Sequence, residues 1–266
     1  NTLVGNQAGM DLTFGKENTF IGSEAGANVT TASGSTAIGY KAMGSYATTG
    51  INNTVVGKGS GQYLITGANN TFLGADIGGT IEGSSNIAIG QYAMGAIRRE
   101  TMESVAIGNS ALAYHGAQCV NIGHMAGHGS YNYSTTAASS AHTGSVSVGY
   151  KAGQNATGSY NTFMGFEAGK GASSNTTSGE NNVAIGKNAM KVFTSGYSMV
   201  VIGKDAGQAL TSGKQSVFIG QGAGYAVTSG ITNVFIGQDA GDGVQTGNAN
   251  ICIGYNTETS ANNSTD

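Results

Sequence analysis

The sequence predicts an all-β fold, a parallel β-roll or β-solenoid of about fifteen coils of about 17 residues each. Three observations predict it: a short apolar segment ending in glycine recurs along the chain, most of its copies lie 17 residues apart, and β-branched residues are frequent within it. A repeat this short cannot bury its own apolar face and must stack on its neighbours. The glycines that end the segment, called position 0 below, are Gly5, Gly22, Gly39, Gly57, Gly74, Gly90, Gly108, Gly123, Gly149, Gly165, Gly186, Gly203, Gly220, Gly237 and Gly254.

The residues before each glycine predict the strand of the coil. Position −1 is aliphatic, as in Ile202, or the thioether Met164, and position −3 is Thr, Val or Ile in every copy. Side chains two residues apart share one face of a strand. Because position −1 is apolar in every copy, we expect this face to fill the interior of the coil, and Ile202→Asp to disrupt the coil around it.

Position −2 points to the opposite face of the same strand, where a half-exposed strand carries polar residues. It holds Phe, Val or Ala in most copies, and only Asn121 and Ser147 are polar. We therefore expect an apolar ladder on the outside of the coil, covered by further copies of the same chain. The predicted interface residues are Phe20, Phe72, Phe163, Phe218 and Phe235.

The rest of the repeat predicts two turns and a second strand. Two variable residues follow the glycine, then Ala and often Gly, which is typical of a tight turn with a left-handed glycine. An apolar residue returns at +7, for example Leu210 and Val227, and a turn such as Thr211–Gly213 closes the coil. This pattern predicts a second, shorter strand and therefore two parallel ladders.

The repeat domain is predicted to span residues 1–257, with a polar tail at 258–266 and loop insertions near 128–144 and 170–181. Insertions in solenoids form loops on one face, which is often the binding face, although they are also tolerated without any role. The longer insertion combines aromatic and small polar residues, which suits adaptable contacts. Its candidate receptor contacts are Tyr131, Tyr133 and His142.

Composition narrows the possible partners. The net charge is −3 and the basic residues are scattered, which does not favour a nucleic-acid partner. No run approaches the ~20 apolar residues of a membrane helix, so membrane insertion is not expected. His124 and His128 are four residues apart but lie in a turn and a loop, so no metal or other cofactor is expected. Stacking separates Cys119 and Cys252 too widely for a disulfide.

Carboxylates at +2 leave one catalytic alternative open. Asp205 and Asp239 lie two coils apart, and such a pair is compatible with glycoside hydrolysis in a polysaccharide-degrading tailspike. The other interpretation is that +2 is a solvated turn position, because Lys, Asn and Gln also occur there. We expect the second and therefore a protein without enzymatic activity. An ice-binding solenoid is a further alternative, but the mixture of Thr, Val and Ile at −3 suits an interior column better.

Two groups of proteins carry similar repeats. Residues 104–111, SVAIGNSA, resemble the head repeat of trimeric autotransporter adhesins of the YadA type, and 18–26, NTFIGSEAG, are still more similar to repeats of bacteriophage tail fibres. The resemblance covers essentially the whole chain and implies a left-handed β-roll assembled as a parallel homotrimer. The period is longer than in adhesin heads and no stalk heptads are present, which favours the phage group.

The resemblance implies a non-enzymatic, structural and adhesive segment of a viral tail fibre. Its expected partners are two further copies of itself, adjacent fibre segments and a host cell-surface glycan or protein, and its expected location is extracellular, on the virion. The alternative is the head domain of a bacterial surface adhesin, located on the cell surface.

Overall fold

The computed structural model describes residues 1–78, 82–95, 103–113, 116–129, 142–172 and 177–259, which contain no helix. These residues form a parallel β-solenoid with the predicted spacing of about 17 residues, so the predicted all-β fold class is confirmed. The chain divides into two compact units, residues 1–125 and 126–266, called unit 1 and unit 2.

Unit 1 contains one ladder of three-residue strands, each paired in parallel with the next coil. The register pairs equivalent repeat positions, such as Thr2 with Thr19. Its strands are β1 (Thr2–Val4), β2 (Thr19–Ile21), β3 (Thr36–Ile38), β4 (Thr54–Val56), β5 (Thr71–Leu73), β6 (Ile87–Ile89), β7 (Val105–Ile107), the two-residue β8 (Gly116–Ala117) and β9 (Val120–Ile122).

Unit 2 repeats the arrangement with seven strands in one parallel ladder, β11 to β17. The longer step between β12 and β13 leaves the register unchanged, because Thr162 pairs with Val183. The strands are β10 (His142–Thr143), β11 (Val146–Val148), β12 (Thr162–Met164), β13 (Val183–Ile185), β14 (Val200–Ile202), β15 (Val217–Ile219), β16 (Val234–Ile236) and β17 (Ile251–Ile253).

The predicted assignment of the two strand faces is wrong, and the structure reverses it. Position −2 points into the coil, while positions −1 and −3 point outwards, so Ile202 is partly exposed and not a core residue. The five phenylalanines predicted to form an interface between chains are at most 1% exposed within a single chain and therefore cannot contact a second one. They are Phe20, Phe72, Phe163, Phe218 and Phe235.

Residue sizes at −2 and +4 are inversely related, which explains how the interior of the coil accommodates a phenylalanine. A Cβ at Gly169 would lie 2.1 Å from the Phe163 ring, so the missing side chain makes room for the ring. Where −2 is alanine, +4 is methionine or leucine and is fully buried. These pairs are Ala37 with Met43, Ala88 with Met94, Ala106 with Leu112 and Ala184 with Met190.

The coil interior also contains a ladder of buried amides at position −4. The Asn182 amide nitrogen donates to the Gly196 carbonyl oxygen at 2.8 Å and to the Asn161 amide oxygen at 3.1 Å, while the Asn182 amide oxygen accepts from the Met199 backbone N–H at 3.1 Å. Asn182 thus joins two backbone segments of the following coil to its own. Polar groups buried in this way stabilise a fold only when their hydrogen bonds are complete.

The predicted second strand is also wrong, although its apolar residues are buried. Leu210 is fully buried, but its backbone N–H donates to the Gly207 carbonyl oxygen three residues earlier, at 3.0 Å. A bond between residues i and i+3 makes a turn rather than an extended strand. The described residues outside the strands show only isolated bridges, Val29 with Thr48, and Lys214 with Tyr197 and Ile231.

Glycine at position 0 is required by the stacking. Gly220 has φ +138°, and a Cβ there would lie 2.2 Å from the Gly237 carbonyl oxygen of the next coil. Side chains rarely adopt this backbone conformation, which only glycine visits readily. The recurrence of glycine therefore reports contact between coils.

Candidate interaction surface

Positions −1 and −3 of every coil form an outward-facing apolar surface, called the apolar face below. The Leu73 and Met164 side chains are 49% and 44% exposed, and no charged residue occupies either column. Seven strands spaced ~4.8 Å apart and ~10 Å long give a face of roughly 340 Å² in unit 2, and eight give roughly 380 Å² in unit 1. Each lies at the lower end of the range of largest apolar patches on monomers, which are often functional.

The two units differ at position −3 of this face. In unit 1 the first five strands carry threonine there, and in unit 2 most strands carry valine. These threonines point outwards, so the prediction that their column fills the interior is wrong. The threonines are Thr2, Thr19, Thr36, Thr54 and Thr71.

The side of the apolar face where the strands end is bordered by position +1, which is aromatic or basic in part of unit 2. The Tyr150 and Phe166 rings stack with centroids 5.0 Å apart, and the Lys187 ammonium lies 6.0 Å from the Phe166 centroid. Lys204 continues the column, and its side chain is 55% exposed. This +1 column is an exposed strip of aromatic and cationic groups.

The side where the strands begin is bordered by positions −6 and −5. Tyr160, Glu180 and Tyr197 are exposed there, and the Lys214 ammonium lies 5.1 Å from the Tyr197 centroid. A shallow depression of about 220 Å³ opens between Glu180 and Tyr197. Its remaining lining residues are Ser178, Gly179, Asn181 and Ser195.

The carboxylates at +2 are engaged in local contacts. The Asp205 carboxylate accepts hydrogen bonds from Asn188 and Gln208 at 2.8 and 3.2 Å. Burial raises the pKa of the Glu167 carboxyl, but its hydrogen bonds and charge interactions with Lys191 and Lys170 outweigh burial and hold the pKa below its ordinary value. A carboxyl of this kind stays ionised, as expected of a structural ion pair rather than a general acid.

The C-terminal coil contains a second carboxyl with a shifted pKa. Burial raises the pKa of Glu258, and its hydrogen bond with the Asp242 carboxyl raises it further. The Glu258 carboxylate accepts the Gly243 backbone N–H at 2.9 Å. These contacts tie the end of the last coil to the coil before it.

Most of the predicted receptor contacts lie outside the described residues. Tyr131 and Tyr133 belong to residues 130–141, which the structure does not describe. His142 is the first residue of β10. The receptor contact in the longer insertion therefore stays a prediction.

Cys119 and Cys252 are both buried thiols, one in each unit. The described ranges contain no group of three or more His, Cys, Asp or Glu residues that would hold a metal ion. The same ranges contain no helix long and apolar enough to cross a membrane.

No known protein family, no curated protein and no solved structure matches the chain.

Proposed function

We propose that the chain is a non-enzymatic, structural and adhesive segment of a viral tail fibre that assembles as a parallel homotrimer. The observation that carries the proposal is the apolar face, which runs through the sheet of each unit without a charged residue. Covering a continuous apolar surface of this kind removes it from water and is favourable. A second copy covers it most simply, because a copy has the same coil spacing and the same side chains at each level.

The corrected orientation moves the proposed interface from position −2 to positions −1 and −3. Ile219 and Ile236 are 37% and 36% exposed in the single chain, so further copies can remove that surface from water. Burying apolar surface stabilises an assembly by about 25 cal/mol per Å². The contact is repeated at every coil, which suits a fibre that must resist shear.

The deciding experiment is the mass in solution by light scattering or sedimentation, comparing wild type with Ile219→Asp/Ile236→Asp. We expect wild type at three times 26.5 kDa. The double variant should be monomeric with an unchanged far-UV spectrum, because both side chains point outwards. Phe218→Asp/Phe235→Asp is the matched comparison, since it places the same charges inside the coil and should unfold it. A monomeric wild type contradicts the proposed assembly.

Adhesion to a host surface is the second part of the proposal, with the 128–144 insertion as the proposed contact to a glycan or protein. Replacing it by a four-residue turn should preserve the fold and reduce binding to host cells. Full binding by the shortened chain would place the receptor contact elsewhere in the fibre. A bacterial adhesin head, the alternative, would assemble in the same way and bind a different surface.

The tailspike alternative predicts cleavage, and our proposal predicts none. Incubation with host polysaccharides should release no reducing ends. Release that is lost in Asp205→Asn/Asp239→Asn would replace the adhesive proposal by an enzymatic one.

Ice binding is retained as a second candidate because five successive strands expose threonine at −3 on a parallel sheet. The candidate requires the face to be free, whereas trimer formation buries it. Thermal hysteresis measured for a monomeric protein would favour ice binding. A trimeric protein that shows no thermal hysteresis would exclude ice binding.

A further inference from the structure

The exposed columns on the two sides of the apolar face of unit 2 are chemically complementary. We propose that they meet between neighbouring copies of this chain, so that position +1 of one protomer contacts positions −6 and −5 of the next. This inference rests on the homotrimer proposed above and extends it from the face to its borders.

Cyclic symmetry determines which borders meet. Three parallel copies that turn the same face towards one axis form a heterologous ring, in which one side of each protomer contacts the opposite side of the next. Strand ends of one copy therefore lie beside strand beginnings of its neighbour. Because the copies are parallel and in register, residues of the same coil lie at the same level.

The part of the apolar face that lies in unit 2 is too small by itself for a stable contact. A stable interface buries about 800 Å² on each partner, whereas the face of unit 2 offers roughly 340 Å² and must be shared between two neighbours. Side chains on the borders of the face are the nearest additional surface.

Three consecutive coils carry matched residues across their strands. Phe166 follows β12 and Tyr160 precedes it, which gives an aromatic pair. In the next coil Lys187 follows β13 and Glu180 precedes it, which gives opposite charges.

The third coil pairs a cation with an aromatic ring, because Lys204 follows β14 and Tyr197 precedes it. Within one chain these partners stand on opposite sides of a three-residue strand, six or seven residues apart in sequence. A neighbouring copy in the proposed trimer brings them together.

The depression on the −6 side provides a place for the lysines. Glu180 and Tyr197 both line its about 220 Å³. A carboxylate and an aromatic ring are the groups that attract an ammonium. Glu180 makes no ion pair with any described residue, so its carboxylate is available to a neighbouring lysine.

The contacts that Lys187 and Lys204 make within the chain are weak, whereas the Tyr197 ring already has the Lys214 ammonium 5.1 Å from its centroid and would be shared between two lysines. The Lys187 ammonium lies 6.0 Å from the Phe166 centroid, and the Lys204 ammonium lies 3.7 Å from the Asp205 carboxylate. Both are loose contacts at the surface, where ion pairs contribute little.

Cross-linking tests the pairing directly in the full chain. Glu180→Cys/Lys187→Cys should yield covalent trimers on a non-reducing gel after mild oxidation, since a disulfide requires Cα atoms within ~7 Å. Glu180→Cys alone, Lys187→Cys alone and Lys187→Cys/Thr228→Cys should not, and wild type reports any background from the two buried native cysteines. Thr228 is the control partner because it is exposed at position +8, away from both borders.

Charge reversal tests it energetically. Lys187→Glu and Glu180→Lys should each raise the concentration at which the trimer dissociates, by roughly tenfold, and Lys187→Glu/Glu180→Lys should restore it. A trimeric wild type whose double-cysteine variant forms no covalent trimer, or whose double charge reversal gives no recovery, overturns the border pairing and leaves the homotrimer intact. A monomeric wild type overturns both.

Discussion

Exchanging the sizes of Phe218 and Gly224 tests whether positions −2 and +4 share the interior of the coil. Phe218 is fully buried and stacks on Phe235 with centroids 5.0 Å apart. Phe218→Ala removes the ring from a packed interior and should lower the free energy of unfolding by about 3–5 kcal/mol. The loss of the aromatic stack contributes within that range.

Gly224→Met alone should also destabilise the chain. A Cβ at Gly224 would lie 3.0 Å from the Phe218 ring, and φ there is +60°. Overpacking costs about 1–3 kcal/mol, and a left-handed side-chain residue costs about 1–2 kcal/mol more. The combined variant Phe218→Ala/Gly224→Met, however, reproduces the coil that pairs Ala184 with Met190, where the methionine has φ +53°.

The combined variant should therefore lose only about 1–3 kcal/mol, the cost of the left-handed methionine and imperfect packing. The assay is denaturant unfolding followed by circular dichroism at several protein concentrations. Ile219→Ala is the control, because its outward side chain should matter only through assembly and so only in a concentration-dependent way. If the two single effects simply add in the combined variant, the two positions do not share a cavity and the face assignment is refuted.

Four further outcomes are expected. Asn182→Ala should lower the free energy of unfolding by about 1–3 kcal/mol, because it leaves buried backbone groups without partners. Asn121→Val should raise it by a similar amount, because the buried Asn121 amide has no hydrogen-bond partner among the described residues. Gly220→Ala should destabilise the chain more than any exposed substitution, through its close approach to the next coil. Glu167→Gln should remove the contribution of the Glu167 carboxylate to the free energy of unfolding, which is present at neutral pH and lost in acid.

The sign of the acid effect follows from the lowered pKa of Glu167 in the folded chain. A carboxyl with a depressed folded pKa stabilises the fold above its unfolded pKa, about 4.3, and loses that contribution as the pH falls through the folded pKa. Thermal unfolding measured between pH 7 and pH 2 separates the variant from wild type. An unchanged pH profile for Glu167→Gln would contradict the role of its ion pairs with Lys170 and Lys191.

The fold class could be predicted because it depends on spacing and on glycine. The step between Gly203 and Gly220 fixes the coil length, and the β-branched residues before each glycine fix the strand. The second strand could not be predicted from apolar recurrence, which indicates burial but not backbone conformation. Leu210 is buried as expected and lies at the end of a turn.

The orientation of the strand could not be decided by alternation, because both faces of the strand are apolar. The orientation of the strand is indicated by the residue sizes at positions −2 and +4, which are six residues apart. Phe20 occurs with Gly26, and Ala37 occurs with Met43, so a large residue at −2 always faces a small one at +4. This compensation of volume is visible in the sequence and identifies the interior, although no short-range pattern contains it.

The same compensation bears on which face can meet other copies of the chain. Around a threefold axis each residue meets the same residue of the other two copies. A column that contains both Ala184 and Phe218 would therefore leave a void at the alanine level and be crowded at the phenylalanine level, and no second position there could compensate for the difference in volume. Inside one coil that balance is supplied by position +4. Position −1 varies only among Val, Ile, Leu and Met, which are similar in size and pack flat on a sheet. Where the same residue of three copies meets at one level, side chains of uniform size pack well, as at position −1. Side chains of variable size, as at position −2, pack well only where position +4 of the same chain compensates for the difference. The reversed faces therefore fit a homotrimer better than the orientation that alternation alone suggested.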